Sequence, residues 1–384
     1  MSKDPRPLVM VLNGACWPGN DASGPNQSLR ALAAALKPLF RFHLVARDRP
    51  FGATQPEPRG ANEPDFSDRT YCAPSRFGAN ALLGTLEAAK PSLIWLNGFH
   101  DREFTLPVLF ARRLGRVRGI PVLLSPRGEF APGALNLKRA RKTAYRALAR
   151  RAGLLEGVAI HATGEGEARD IQAGLPWHRR HVTAPNLAAL PSLRDGQPRT
   201  PGEPLRIVFL GRIARVKNLD FALRVLATVR MPVRFHVAGP VQDESYWQEC
   251  RTLIARLPAH VAVSVHGGLS HAASLDLLSR ADLLFLPSRS ENFGHAIFEA
   301  LGCAVPALIS DGTPWRGLEA ARAGFDLPLS GVEPFAAVID RFAALADPAP
   351  WRRGARLMAE RHVARADAAE TNAAMLHRLI GAAA

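Results

Sequence analysis

Glu291 and Glu299 stand eight positions apart, with Phe293, Gly294 and His295 between them, in the stretch ADLLFLPSRSENFGHAIFEALGCAVPALISD that begins at Ala281. The apolar run Leu283 to Leu286 stops at Pro287 and a polar loop follows. A helix is predicted from near Gly294, and a second apolar run, Val305 to Ile309, comes after Gly302. Strand, loop, helix, strand is the order of a parallel α/β unit. Open α/β sheets take ligands beyond the carboxyl ends of their strands, which is where Glu291 falls. Backbone N–H groups at 293–295, at a helix start, favour an anion, and Gly294 has no Cβ to keep a phosphate away. Glu299 lies about one turn into the helix and leans back towards its start. One carboxylate could therefore meet a sugar and the other a ribose hydroxyl, with a diphosphate between them. An ordinary helix with two exposed glutamates has the same spacing.

A second pair of charges follows the apolar run Leu205 to Leu210, in Gly211-Arg212-Ile213-Ala214-Arg215-Val216-Lys217-Asn218. Arg212 and Lys217, five apart at the end of a strand, can place two permanent cations at one crevice. Arginine offers a planar fork for phosphate oxygens and lysine a point charge. In so basic a chain, the other reading is one basic loop among many.

ENFGHAIFEAL, followed by ISDGTPW, resembles the Glu-x7-Glu signature of retaining glycosyltransferases of family 4, and is similar to bacterial members that build surface polysaccharide and lipopolysaccharide. The resemblance implies an α/β protein of the GT-B fold: two Rossmann-like, doubly wound domains facing a cleft, with the C-terminal helix crossing back to the first. It implies transfer of a hexosyl group from a UDP-, GDP- or ADP-sugar to a saccharide or lipid-linked saccharide. Retention would come from front-face attack assisted by the departing phosphate. Arg212 and Lys217 then match the family's Gly-Arg-x4-Lys on the donor pyrophosphate, and Glu291 holds the donor sugar without acting as a nucleophile. The nucleotide base would lie along the loops at Gly239 and His266. Gly24, in Ser23-Gly24, stands where the family carries a Gly-Gly pair beside the donor phosphates. Arg127, in Pro126-Arg127-Gly128-Glu129-Phe130, stands where many relatives have a sugar-contacting histidine; a permanent cation there acts only electrostatically. No cofactor is expected. No Asp-x-Asp occurs, so no metal requirement is expected either; Arg212, Lys217 and a helix terminus take over the charge.

The elements that must position these groups read in order. Pro7 to Asn13 is a first strand, Gly14 to Gly24 a Gly-bearing polar loop, and Asn26 to Lys37 a helix. Phe42 to Ala46 is a strand, and Arg49 to Ala79, rich in Pro and Gly, a surface excursion. Leu93 to Leu96 ends in Asn97-Gly98-Phe99-His100-Asp101, where His100 is a catalytic or acceptor-binding candidate. Pro121 to Ser125 precedes Arg127 and Glu129. Asn136 to Arg151 has seven basic residues and no acidic one, with Leu137, Ala140, Ala144, Tyr145 and Leu148 at helical spacing. It is either a solvated helix or a dock for an anionic membrane face. Val158 to His161 is a strand, with Thr163 as the N-cap of the next helix. Pro191 to Pro204 is the linker, so residues 1–190 form the acceptor domain and 205–360 the nucleotide-sugar domain. Residues 361–384 are the helix that packs back on the first domain.

Length (384 residues), 47% hydrophobic and 22% charged content suit two globular domains. There is no run of about 18 apolar residues and no signal-peptide pattern. Cys16, Cys72, Cys250 and Cys303 lack metal-type spacing and suit a reducing cytoplasm. The expected location is cytoplasmic, peripheral on the inner face of the plasma membrane. Net charge of +15 admits nucleic acid as a partner. Only 7% of residues are aromatic and zinc spacing is absent, so nucleic acid is not expected. A nucleotide-sugar 2-epimerase of the same fold remains the alternative enzyme; a phosphorylase would need a pyridoxal-phosphate motif that is not seen.

Overall fold

The structure is a computed structural model in which residues 4–18, 20, 23–50, 53–56, 66–72, 79–131, 135, 139–193, 199–200, 202–365 and 367–382 are described. Contacts divide the chain into two compact units, Met1–Ala188 with Ala366–Ala384, and Ala189–Arg365.

Among its described residues the first unit holds seven parallel strands: β1 (Leu8–Asn13), β2 (Arg41–Arg47), β3 (Asp68–Cys72), β4 (Leu93–Asn97), β5 (Val122–Ser125), β6 (Ala159–Ala162) and β7 (His181–Thr183). Their order is β3-β2-β1-β4-β5-β6-β7. Strands β4, β5 and β6 are buried along their whole length, because helices cover both faces. Strand β3 lies inside the stretch expected to be only a surface excursion. Its sequence, DRTYC, is polar because it is an edge strand paired only with β2. The helix expected to open on Thr163 has Gly164 at its N-cap. Thr163 sits one residue earlier, and its N–H and hydroxyl both donate to Glu167, at 2.8 and 2.6 Å.

The last helix, Ala368–Gly381, belongs to this first unit, as the fold predicts. Leu376 and Leu379 share a buried cluster with Leu29, Leu32 and Leu36 of the helix Gly24–Leu36. Asn372 Nδ2 donates to the Pro185 carbonyl at 2.9 Å.

Among its described residues the second unit holds six parallel strands: β8 (Leu205–Leu210), β9 (Val233–Ala238), β10 (Val261–Gly267), β11 (Leu283–Leu286), β12 (Ala307–Ser310) and β13 (Gly324–Leu327). They are ordered β10-β9-β8-β11-β12-β13. Part of the predicted linker belongs to this unit by contact: Arg199 donates to the Ala343 carbonyl at 2.8 Å, and its Nε lies 3.8 Å from Asp282. The helix Ala349–Arg365 closes the unit.

In each sheet the strand order reverses once, between β1 and β4 and between β8 and β11. Crossovers from these strand pairs leave in opposite directions, so the loops at their carboxyl ends part and open a crevice. In the second unit those two loops are the ones that carry Arg212 with Lys217 and Glu291 with Phe293–His295.

Candidate functional site

Arg212 and Lys217 follow β8. A 3-10 turn, Arg215–Lys217, ends at Asn218, which sits in the left-handed region at φ 62° and opens the helix Leu219–Leu226. Asn tolerates that conformation better than most residues. Its buried side chain also ties the two loops together: Nδ2 donates to the Pro287 carbonyl at 3.1 Å, and Oδ1 accepts from Arg289 Nε at 3.2 Å. Arg289 N–H in turn donates to the Val216 carbonyl at 2.8 Å. Asn218→Gly should therefore cost roughly 1 kcal/mol or more, from lost buried hydrogen bonds. Asn218→Ala should cost more again, because alanine pays both the lost bonds and the positive φ. Urea melts that rank alanine above glycine would refute this.

Across the crevice, Lys217 Nζ lies 2.5 Å from Glu291 Oε1, and Ser288 Oγ donates to the same oxygen at 2.7 Å. The Glu291 N–H donates to the Gly312 carbonyl at 3.1 Å. Arg212 donates to Gln242 Oε1 while remaining solvent-exposed. Desolvation by the surrounding protein lowers its guanidinium below the ordinary value, and the nearby Glu291 charge opposes that shift. It stays a cation at neutral pH. Arg212, Lys217 and Glu291 are thus brought together. They form a cationic pair with a carboxylate between β8 and β11.

Gly294 is the N-cap of the helix His295–Gly302, at φ 80°. Such a helix start presents N–H groups without intrahelical partners and a partial positive charge. Glu299 is buried (7% exposed) on this helix. His271, the first residue of the helix His271–Ser279, places Nε2 3.2 Å from Glu299 Oε1. Sequence reasoning missed His271, Ser288 and Asn218. Asn218 alone had a local signal, an Asn directly after the basic turn.

Gly239, after β9, lies at φ 147°, and a Cβ there would sit 2.0 Å from the Gly211 carbonyl oxygen. The loop after β9 therefore packs backbone to backbone against the loop carrying Arg212. His266, near the end of β10, pairs its Nε2 with His236 Nδ1 at 3.0 Å.

The remaining predicted residues lie in the first unit, also past strand ends. Gly24 opens the helix Gly24–Leu36 behind the loop after β1. Asn26 braces this loop, accepting from Asn13 Nδ2 at 2.9 Å and donating to the Asn20 carbonyl at 2.7 Å. His100, after β4, places Nδ1 2.5 Å from Glu129 Oε2, and the same oxygen accepts the His100 N–H at 2.9 Å. Arg127 has φ 54°, and its side chain runs back into the protein. Nε donates to Asn97 Oδ1 at 3.1 Å and Nη1 to Asn186 Oδ1 at 2.6 Å, with the guanidinium 6.0 Å from the Trp95 ring. Burial pushes Arg127 down to about 10, against the Glu167 charge, so it remains a cation.

In the basic helix, Asn136–Lys138 lie outside the described residues and Arg139–Arg151 is helical. The apolar residues at helical spacing divide between two faces. Ala140, Ala144 and Leu148 (45% exposed) are on the surface, while Tyr145 and Ala149 face the unit. The Tyr145 ring packs on Phe99 at 5.2 Å and His100 at 5.3 Å, so the larger aromatic decides which face is buried.

Among the described residues, no cluster of three or more His, Cys, Asp or Glu could hold a metal ion, and no helix is long and apolar enough to cross a membrane. No curated protein sequence matches the chain. Residues 194–342 match the family described as glycosyl transferases group 1. Among solved structures, HepE of Anabaena in complex with UDP and glucose is similar over 97% of this chain and 99% of its own, at 15% identity and a TM-score of 0.70. Sucrose-phosphate synthase from Thermosynechococcus elongatus is similar over 99% of this chain and 100% of its own, at 19% identity and a TM-score of 0.63. WaaG, a glycosyltransferase involved in lipopolysaccharide biosynthesis, is similar over 96% and 99%, at 13% identity and a TM-score of 0.62. The chain therefore has the GT-B fold, and its residues 194–342 match the model of the group 1 glycosyl transferases.

Proposed function

We propose that this protein transfers a sugar from a nucleoside diphosphate sugar to a saccharide or lipid-linked saccharide, with retention, in the synthesis of bacterial surface polysaccharide. The observation that carries the reading is the meeting of Lys217, Arg212 and Glu291 beside the helix that Gly294 opens. Charge develops on the departing diphosphate, and each preorganised donor aimed at it contributes on the order of 3 kcal/mol at comparable oxyanion sites. In this reading the Lys217 ammonium leaves Glu291 for the phosphate and Arg212 takes a second oxygen. Glu291, still held by Ser288, turns to the donor sugar's hydroxyls. Glu299, steadied by His271, takes the ribose. HepE, in complexes with UDP-glucose and UDP, is a precedent for a uridine donor on this fold. The test is a thermal-shift series with UDP, GDP and ADP, then their sugars, in EDTA and in Mg²⁺. One nucleoside diphosphate should raise the melting temperature by several degrees, equally in both. Absence of any shift would remove the donor assignment; a shift seen only with Mg²⁺ would remove the metal-free one.

For the acceptor side, we propose that the helix Arg139–Arg151 docks on anionic lipid. Its exposed stripe of Ala140, Ala144 and Leu148 is flanked by Arg141, Arg150 and Arg151. Nearby, Arg113 donates to the Ala152 carbonyl at 3.2 Å, beside the 78%-exposed Leu114. Apolar side chains in a rim of arginines suit a headgroup boundary, at about 1 kcal/mol per basic residue near the surface. Liposome sedimentation should show binding to vesicles containing phosphatidylserine and none to neutral ones, lost when Arg141, Arg150 and Arg151 become glutamate. Equal binding to both vesicle types would sink the idea.

A further inference from the structure

We infer that Trp315 and His362 are positioning residues that set the direction of the Gly294 amide; this rests on the diphosphate reading above and assigns how that site is held. Trp315 is 5% exposed, and its indole N–H donates to the Phe293 carbonyl at 2.7 Å. The Phe293 carbonyl and the Gly294 N–H belong to one planar trans peptide, so they point in opposite directions. Holding the carbonyl towards Trp315 aims the Gly294 N–H away from it. Gly294 is in the left-handed region, where glycine costs little and where this peptide has an easy alternative orientation. In that alternative a carbonyl oxygen replaces an N–H donor, which is repulsive to an anion.

The clamp has a second layer. The His362 ring, on the helix Ala349–Arg365, lies 4.9 Å from the Trp315 ring at 37°, and 5.4 Å from Phe293. Phe293 also packs on His295 at 4.5 Å and on Phe298 at 5.9 Å. A Cβ on residue 294 would come within 2.9 Å of Ile297 Cδ1 and 3.3 Å of Trp315 Nε1, so the indole is pressed close to the turn it orients. Burial holds the His362 imidazole below its ordinary pKa, which suits a neutral stacking ring.

The test compares Trp315→Phe, His362→Phe and His362→Ala with the wild type by calorimetric titration with UDP, GDP and ADP and with the matching nucleosides. For whichever nucleoside diphosphate the wild type binds, Trp315→Phe should weaken binding about tenfold while leaving the nucleoside's affinity unchanged, since only the phosphate end meets the amide. His362→Phe, which keeps the stack, should bind like wild type, and His362→Ala about threefold more weakly. If Trp315→Phe does not fold, benzothienylalanine at 315 replaces the N–H with sulfur at the same shape and should show the same tenfold loss. Unchanged diphosphate affinity in Trp315→Phe, or in the benzothienylalanine protein that replaces it, overturns the inference while leaving the donor reading intact. An equal loss for nucleoside and diphosphate also overturns it, as a merely structural role. A wild type that binds none of the three overturns the donor reading itself, and the inference with it.

Discussion

Lys217→Ala is expected to reduce sugar transfer at least tenfold, about 1.4 kcal/mol of barrier, with most of the loss in donor affinity. Lysine contributes a compact charge that must be moved from one anion to another. In the structure Nζ sits 2.5 Å from Glu291, and the two side chains are 16% and 10% exposed. A diphosphate carries more charge than one carboxylate and offers more oxygens, so the exchange favours the ligand. Removing the ammonium leaves the diphosphate facing Arg212 and a helix terminus alone. Fold stability should change little, because Ser288 still donates to Glu291 and Arg212 remains nearby. The companion variant, Glu291→Gln, keeps the shape and loses the charge. It should lower kcat by tenfold or more with a smaller effect on nucleoside diphosphate binding, since the carboxylate is assigned to the sugar. Steady-state kinetics with the donor found by thermal shift, alongside melting curves, separates these outcomes. Near-normal turnover in either variant breaks the assignment.

Gly239→Ala is expected to cost about 3 kcal/mol or more of stability, and donor binding with it. Two effects add. At φ 147° an L side chain is strained, on the order of 1–3 kcal/mol. Its Cβ would also lie 2.0 Å from the Gly211 carbonyl oxygen, with the carbonyl carbon at 2.5 Å and the Arg212 nitrogen at 3.2 Å. These are backbone atoms and have no rotamer to move into, so the loop that carries Arg212 must shift. Overpacking of this kind typically costs about 1–3 kcal/mol by itself. Gly268, across the same region, is the control. A Cβ there meets nothing closer than 3.8 Å, so Gly268→Ala should be near neutral. Denaturant melts of both variants decide the matter; equal stability of Gly239→Ala and wild type would show that the two loops are not packed as described.

Much of this protein could be read along the chain because its signals are local. Apolar runs such as Leu205 to Leu210 and Leu283 to Leu286 became strands, since a strand buried on both faces must be apolar throughout. Arg212 and Lys217 lie five residues apart, and Gly294 with Glu299 likewise, so one turn and one helix suffice to place each pair. Strand β3 escaped because an edge strand needs no apolar face, and Asp68–Cys72 has none. In the basic helix, spacing alone did not show that Tyr145 turns away from Ala140, Ala144 and Leu148, because the rings it packs on, Phe99 and His100, are distant in sequence.

What the linear order leaves open is which loops meet. Lys217 and Glu291 are 74 residues apart and touch only because β8 and β11 are neighbours at the point where the strand order reverses. His271 reaches Glu299 across 28 residues, and Trp315 reaches Phe293 across 22. Residue type and spacing decided which groups are candidates to hold a sugar nucleotide. The sheet order decided which of them stand together, because strand neighbours are chosen by the burial of whole helices and strands and not by the polar side chains at their ends.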